Sequence, residues 1–502
     1  MVARIKRNPH ARALGVVFIV LALSWLVSWA DEVNTGDEYQ SDDPEWGNLN
    51  AAPVESQWGY GVQPIQHGSG YVCEPATPIV PEKITYVNGK SGWKVHIPDG
   101  LPLATPAYAD GRIFVGGGFG TYSFYALDAD TGELEWHFAT GDDGPTAAVV
   151  YKDRVAFNTE SCILYVLDTK TGEEIWSQWL GDPLMSQPAI ADDLIYMAFP
   201  GGGTHYLTCR ALETGEEKWT QPIAGDCITA PIIDGHSAFV ASLDGTVYNF
   251  NVKSGELEWS EKKNATSAPW IVDDEIYVAL REEVKSAAGE TQQYEGLAKV
   301  NRGRGDQLNE ELYGKLNAEY LVYETESEYA KAQYDLDASV GFSAAPPTAG
   351  LGKAQENLGV GSVSGIWAYQ GSRPLVYDNR SYTAQGDLIR CVDNRSGKVV
   401  WENQFKVDDS IGGRALTPPA FANGCLYMGS LEGDIVCVRI DDGKKLWSVN
   451  IGETIRFQPI VAKGKVYVGT DLGNIYCLDT GDKKADGWYM WGGNASHNGW
   501  GS

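Results

Sequence analysis

Three arginines and three aspartates are the residues whose type and spacing could do chemistry. Arg373, Arg414 and Arg456 each open an apolar stretch, and Asp142, Asp182 and Asp226 each lead into another. Guanidinium groups that converge would grip a carboxylate or phosphate through paired, charge-assisted hydrogen bonds. The bland alternative is that the two sets pair with each other, with water or with backbone carbonyls, since structural ion pairs are common. Other chemistry is thin. The seven histidines are scattered, and His205 and His497 stand alone. There is no HExxH, GxSxG or P-loop, so no catalytic residue and no metal ligand is assigned. The eight cysteines include no adjacent pair, no CxxC and no CxxCH. Most sit in strand-like sequence and read as small buried residues rather than as a disulfide framework.

Whether the arginines and aspartates meet depends on the elements that carry them. The chain repeats one phrase: Tyr125–Trp136 (YALDADTGELEW), Tyr165–Trp176 (YVLDTKTGEEIW), Cys209–Trp219, Tyr248–Trp259, Arg390–Trp401 and Val438–Trp447. Apolar β-formers flank an Asp–Thr–Gly turn, so each phrase predicts strand, turn and strand. Trp93, Trp136, Trp176, Trp219, Trp259, Trp401 and Trp447 occupy one place in the second strand and read as structural anchors between units. A second phrase, a small or polar residue and a Pro before an apolar run, precedes each hairpin, as at Thr105-Pro106, Gln187-Pro188 and Gln458-Pro459. Counting one Pro-less copy at Ala147, there are eight. Each repeat then holds four short strands, here A to D. Four-stranded units repeated in this way predict an all-β, eight-bladed propeller.

In chain order, residues 1–30 read as a signal peptide or an uncleaved anchor: basic Arg4–Arg12, apolar Leu14–Val27, then Ser28-Trp29-Ala30. Residues 31–83 form an acidic, flexible leader. Residues 84–481 hold the propeller. Trp93 there is expected to supply the last strand of the last blade and so close the ring. Blade five is degenerate, with a polar insertion at 281–293. A partly helical insertion is expected at 309–365, where Leu312, Leu316, Tyr320 and Tyr323 recur at roughly helical spacing. Residues 482–502 form a tail. The topology sends B–C loops and D–A connections to one face and the Thr-Gly turns to the other. Both insertions, the three arginines and the three aspartates therefore share a face, which makes it the expected binding face. The net charge of −28 leaves no basic field for nucleic acid.

The repeat resembles the pyrroloquinoline-quinone (PQQ) repeat family, through Ala126, Asp128, Thr131, Gly132 and Trp136 and through the Trp488-Tyr-Met-Trp-Gly-Gly-Asn494 tail. The resemblance implies two function classes. Quinoprotein dehydrogenases hold PQQ and Ca²⁺ in the channel and oxidise alcohols or sugars, commonly under an adjacent Cys-Cys disulfide. BamB-like proteins use the fold without cofactor as a docking surface. This chain lacks the adjacent cysteines of the first class, and it lacks the lipid-anchor cysteine of the second. The expectation is an exported, BamB-like scaffold of the periplasm or cell envelope. It needs no cofactor, takes protein partners on the insertion face, and meets the membrane only through an uncleaved N-terminal segment. The alternative is a PQQ- and Ca²⁺-dependent dehydrogenase.

Overall fold

A computed structural model describes residues 70–98, 102–118, 120–181, 186–225, 229–242, 244–285, 291–315, 373–385, 388–405 and 416–499. They lie in one compact unit, Pro64–Ser502. They build eight antiparallel sheets, one per blade, each with four strands from its own repeat or its closing partner. Blade one is Ala107–Ala109, Arg112–Gly116, Ser123–Asp128 and Leu134–Ala139. Strands A of most successive blades touch around the ring and so line its axis.

The turn chemistry explains why each blade folds locally. A–B turns such as Asp110-Gly111 and Asn423-Gly424 place two consecutive residues in the left-handed region, which matches the twist of a two-residue hairpin. In the C–D turn, Asp128 Oδ1 accepts the amides of Asp130 (2.9 Å) and Thr131 (2.7 Å) and the Thr131 hydroxyl (2.9 Å). Burial works to raise this carboxyl, but those hydrogen bonds outweigh it and hold its pKa below the usual value. Asp168, Asn251, Asn301 and Asp393 repeat the motif.

The anchors then stitch blade to blade. The indole N–H of Trp93 donates to Ala129 O (3.2 Å), Trp136 to Thr169 O (3.1 Å), Trp176 to Leu212 O (2.7 Å) and Trp219 to Val252 O (2.9 Å). Trp259 reaches Arg302 O (2.8 Å) and Trp401 reaches Ile440 O (3.0 Å). The turn glycine of the next blade lies on each ring. A Cβ on Gly172 would stand 2.7 Å from Trp136, so the glycine serves both its positive φ and this close approach.

Ring closure follows the expectation for Trp93. Ser91–His96 pairs with Asn474–Asp479 as strand D of blade eight, with Trp93 opposite Cys477. Glu82–Thr85 adds a fifth strand outside it. Tyr71–Val72 adds a fifth strand outside blade one, opposite Ala139 and Phe138.

Blade five departs from the expectation in two ways. The polar stretch at 281–293 is no separate insertion: Glu275–Lys285 and Thr291–Asn301 are lengthened strands B and C, in register as far as Lys285 and Thr291. Nor does an insertion begin at 309. Gln307–Lys315 is strand D, and Asn309 pairs with Lys299 where other blades put their Trp. Leu312 therefore belongs to a strand rather than to a helical pattern. The rest of the 309–365 segment, and residues 1–69, lie outside the described residues.

The tail is not peripheral. Trp488 bridges Val461 of blade eight. Tyr108 N–H of blade one donates to Tyr489 O (2.6 Å), Ile190 N–H of blade three to Ala495 O (2.7 Å), and Ile233 N–H of blade four to Ser496 O (2.9 Å). Trp488 stacks on Trp270 of blade five at 6.0 Å and 2°. Inward amides of strands A in blades one, three, four and eight thus find their partners in the tail, which lies at the axis.

Candidate functional site

Of the six residues expected at the channel mouth, Arg414, Asp182 and Asp226 lie outside the described residues. The other three each make a bond within the described residues. Arg456 opens strand A of blade eight, and its Nε meets Asp471 Oδ2 at 2.7 Å, both side chains being largely buried. Asp471 comes from the B–C loop of the same blade. Arg373 donates its backbone N–H to Ser267 Oγ (3.2 Å) and a guanidinium N–H to Ala384 O (3.4 Å). Asp142 is buried, and its carboxylate accepts the Ser161 N–H at 2.8 Å. None of these bonds joins an arginine of one arc to an aspartate of the other.

A more connected polar centre lies nearby and escaped the repeat pattern. Glu453, in the D–A connection into blade eight, accepts Lys94 Nζ (2.9 Å) and Tyr476 OH (2.7 Å) on Oε1. Its Oε2 accepts Thr470 Oγ1 (2.7 Å) and Asn474 Nδ2 (2.7 Å). Burial works to raise its pKa, yet the Tyr476, Lys94, Thr470 and Asn474 bonds prevail and lower it. Lys94 arrives from the N-terminal closing strand. A half-buried charge served by four hydrogen bonds is a structural device here: it ties the two ends of the ring together.

The axis carries a second set of polar atoms. Gln458 bridges blades: its Nε2 donates to Pro419 O (2.9 Å) and its Oε1 accepts Gly492 N–H of the tail (3.0 Å). His497 is fully buried, with Nδ1 at 2.6 Å from Trp491 O and Nε2 at 2.9 Å from Pro188 O. Burial pushes its pKa down and the two carbonyls pull it up, with a net lowering. The indole N–H groups of Trp270, Trp488 and Trp491 are buried without a hydrogen-bond partner among the described residues. The sequence signal for this set was present in the aromatic, glycine-rich tail, but nothing local says that its partners are five separate blades.

A cleft of about 640 Å³ lies between blades six and seven. Among the described residues, no three His, Cys, Asp or Glu side chains cluster as a metal site would require. The seven described cysteines carry no bridge.

Comparison with known proteins places this architecture. The family model described as outer membrane protein assembly factor BamB matches residues 82–210, 163–315 and 385–491, more than half of the chain. The outer membrane protein assembly factor BamB of Burkholderia pseudomallei is 21% identical over 324 residues, 62% of this chain and 77% of that protein. A tetrathionate hydrolase of Acidithiobacillus ferrooxidans is 21% identical over 505 residues, 92% of this chain and 94% of that protein. The crystal structure of BamB from Moraxella catarrhalis superposes with a TM-score of 0.51 at 12% identity, over 80% of this chain and 100% of that one, a likeness of fold alone. The chain belongs to the PQQ-repeat propeller family described as outer membrane protein assembly factor BamB.

Proposed function

We propose that this chain is an exported propeller scaffold that docks protein partners at the cell envelope and works without a redox cofactor. The observation that carries the reading is the tail bonded to strands A at the axis. A planar quinone tricarboxylate needs an open slot and converging cations. Here the tail occupies the axis through Trp488, Gly492 and Ser496. Arg456 is neutralised by Asp471, and Arg373 points a guanidinium N–H at a carbonyl. These placements support a propeller that works without PQQ and Ca²⁺. Relatives named as outer membrane assembly factors support the docking role, and the basic-apolar N-terminus supports export. The deciding experiment is a titration of the purified body with PQQ and Ca²⁺, read by absorbance and calorimetry. A blank titration is expected; stoichiometric binding would replace this reading with the dehydrogenase.

A second reading rests on one observation: the match to a tetrathionate hydrolase runs along nearly the whole chain. Incubation of the same preparation with tetrathionate tests it. Consumption of tetrathionate above the buffer rate would make the chain an enzyme.

A further inference from the structure

We propose that Cys73 is an accessible nucleophilic thiol, positioned by His137, that takes up low-molecular-weight disulfides as a mixed disulfide. The inference is independent of the docking role. Of the seven described cysteines, five are buried, and only Cys73 and Cys425 are partly exposed. Cys73 follows the outer strand Tyr71–Val72, and its N–H donates to His137 O (3.0 Å) on strand D of blade one. Its side chain lies beside the imidazole: Sγ stands 3.4 Å from His137 Nδ1. On the far side of the ring, Nε2 meets Ser123 Oγ of strand C at 3.0 Å. Tyr125 stacks on the imidazole at 4.9 Å and 28°, and His137 is buried, so the ring is held in place.

The hydrogen bonds decide where the ring carries its proton. Burial pushes the His137 pKa down, while the Cys73 carbonyl and the charge of Glu74 pull it up, with a net lowering. The neutral ring has one N–H. Nδ1 lies 3.1 Å from Cys73 O, which can only accept, so the proton sits on Nδ1. The Ser123 hydroxyl then donates to Nε2. If the ring gains a second proton, the same hydroxyl turns and accepts. In both states an N–H stands within reach of Cys73 Sγ. Donors beside a sulfur favour the thiolate, which is the nucleophile. The step balances without a further oxidant. Cys73 gives its proton to water, and Sγ attacks one sulfur of R–S–S–R. The new Sγ–S bond forms as the old S–S bond breaks, and that bond's electron pair leaves with RS⁻, which takes up a proton. Cys73 is oxidised and the departing sulfur is reduced. No other described cysteine lies in blade one to resolve the adduct, so release needs an outside thiol.

The test uses the intact folded chain and 2-hydroxyethyl disulfide, an uncharged probe, with adducts located by peptide mass spectrometry. A single adduct on Cys73 is expected, formed about tenfold or more faster than on N-acetylcysteine at neutral pH. His137→Phe keeps a ring against Tyr125 and removes the N–H. It should bring the rate back to that of N-acetylcysteine and move the pH–rate profile upward. Among the described residues, the titratable neighbours of the ring are Cys73 and Glu74 from the outer segment and Tyr125 from strand C. Glu74→Gln should therefore keep most of the rate advantage, which assigns the profile to the imidazole. A Cys73 rate no faster than that of N-acetylcysteine, or adducts on Cys425 or another cysteine in equal or greater yield, would overturn the proposal, and that comparison needs no variant. An unchanged rate and profile in folded His137→Phe would overturn the positioning role. None of these outcomes bears on the PQQ titration, which tests the scaffold reading by itself.

Discussion

The ammonium of Lys90 lies 4.5 Å from the centre of the Trp447 ring and donates to Thr480 O. In six other junctions the Trp N–H takes a carbonyl of the following blade directly. At the junction of blades seven and eight, a lysine from the closing hairpin intervenes, and a Cβ on the turn glycine Gly481 would meet Lys90 Nζ rather than an indole. The difference arises where the chain ends meet. Strand C of blade eight runs on into the tail, so its strand D must come from the N-terminus with its own turn residues. Lys90→Met should keep the stem and lose the charge, costing about 1–2 kcal/mol from the cation–π contact and the carbonyl bond. Thermal melting checks it, with the exposed Lys170→Met as the control that should not move.

The ordinary junction makes a stronger claim. Trp136 is buried, bonded to Thr169 O, and lies against Gly172. Trp136→Ala should cost about 3–5 kcal/mol, the range for a large core truncation. Trp136→Phe keeps most of the packing and loses the N–H, so about 1 kcal/mol is expected. Gly172→Ala should also destabilise, because φ is +72° and a Cβ would meet the ring. Denaturant midpoints that rank Trp136→Phe as the costliest of the three would contradict this account of the junction.

Glu453 gives the fold a pH dependence with a definite sign. Its folded pKa is lowered, so its contribution to stability is complete above the unfolded value of about 4.3 and is lost as pH falls through the folded value. Below that, Lys94 and Tyr476 face a neutral acid and ring closure weakens. Glu453→Gln should therefore be less stable than wild type at neutral pH, with the gap narrowing as pH drops below about 4. A pH series of urea midpoints reads this; parallel curves for the two proteins would remove Glu453 as the titrating group.

These particulars show which parts of the molecule the sequence exposes. The Asp–Thr–Gly turn and the Trp four residues past its glycine are local, so Asp128 and Trp136 announce the hairpin and the anchor within one phrase. Trp93 could be read because its spacing to the next Pro phrase matches the other blades. Strand D of blade five was hidden because Asn309 stands in the Trp place and removes the only long-range label that strand has. The lengthened hairpin at 281–293 was hidden because its outer residues are polar, and a polar run reads equally as a loop. Glu453 was hidden because its four partners come from both ends of the chain. Repeat position suggests arcs of arginine and aspartate but does not name their partners: Arg456 finds Asp471 in its own blade.

The tail offers the last test, because it joins the fold to the function. His497 sits between two carbonyls, Trp491 O in the tail and Pro188 O in blade three. Ser496 Oγ donates to Ile190 O (3.0 Å), and Asn498 Nδ2 donates to Ile233 O (3.1 Å). Each bond lies at the axis, where a lost partner leaves a buried backbone group unsatisfied at a cost of about 1–3 kcal/mol. His497→Ala should therefore lower the melting temperature and expose the C-terminal segment to carboxypeptidase in the otherwise folded protein. If the tail were a loosely attached appendage, the variant would melt like wild type and trimming would proceed equally in both. If instead the tail seals the axis, trimmed protein should gain slow, saturable uptake of a small apolar fluorophore that the intact chain excludes. That gain would tie exclusion from the axis to the tail itself, and with it the argument that the channel serves the architecture rather than a cofactor.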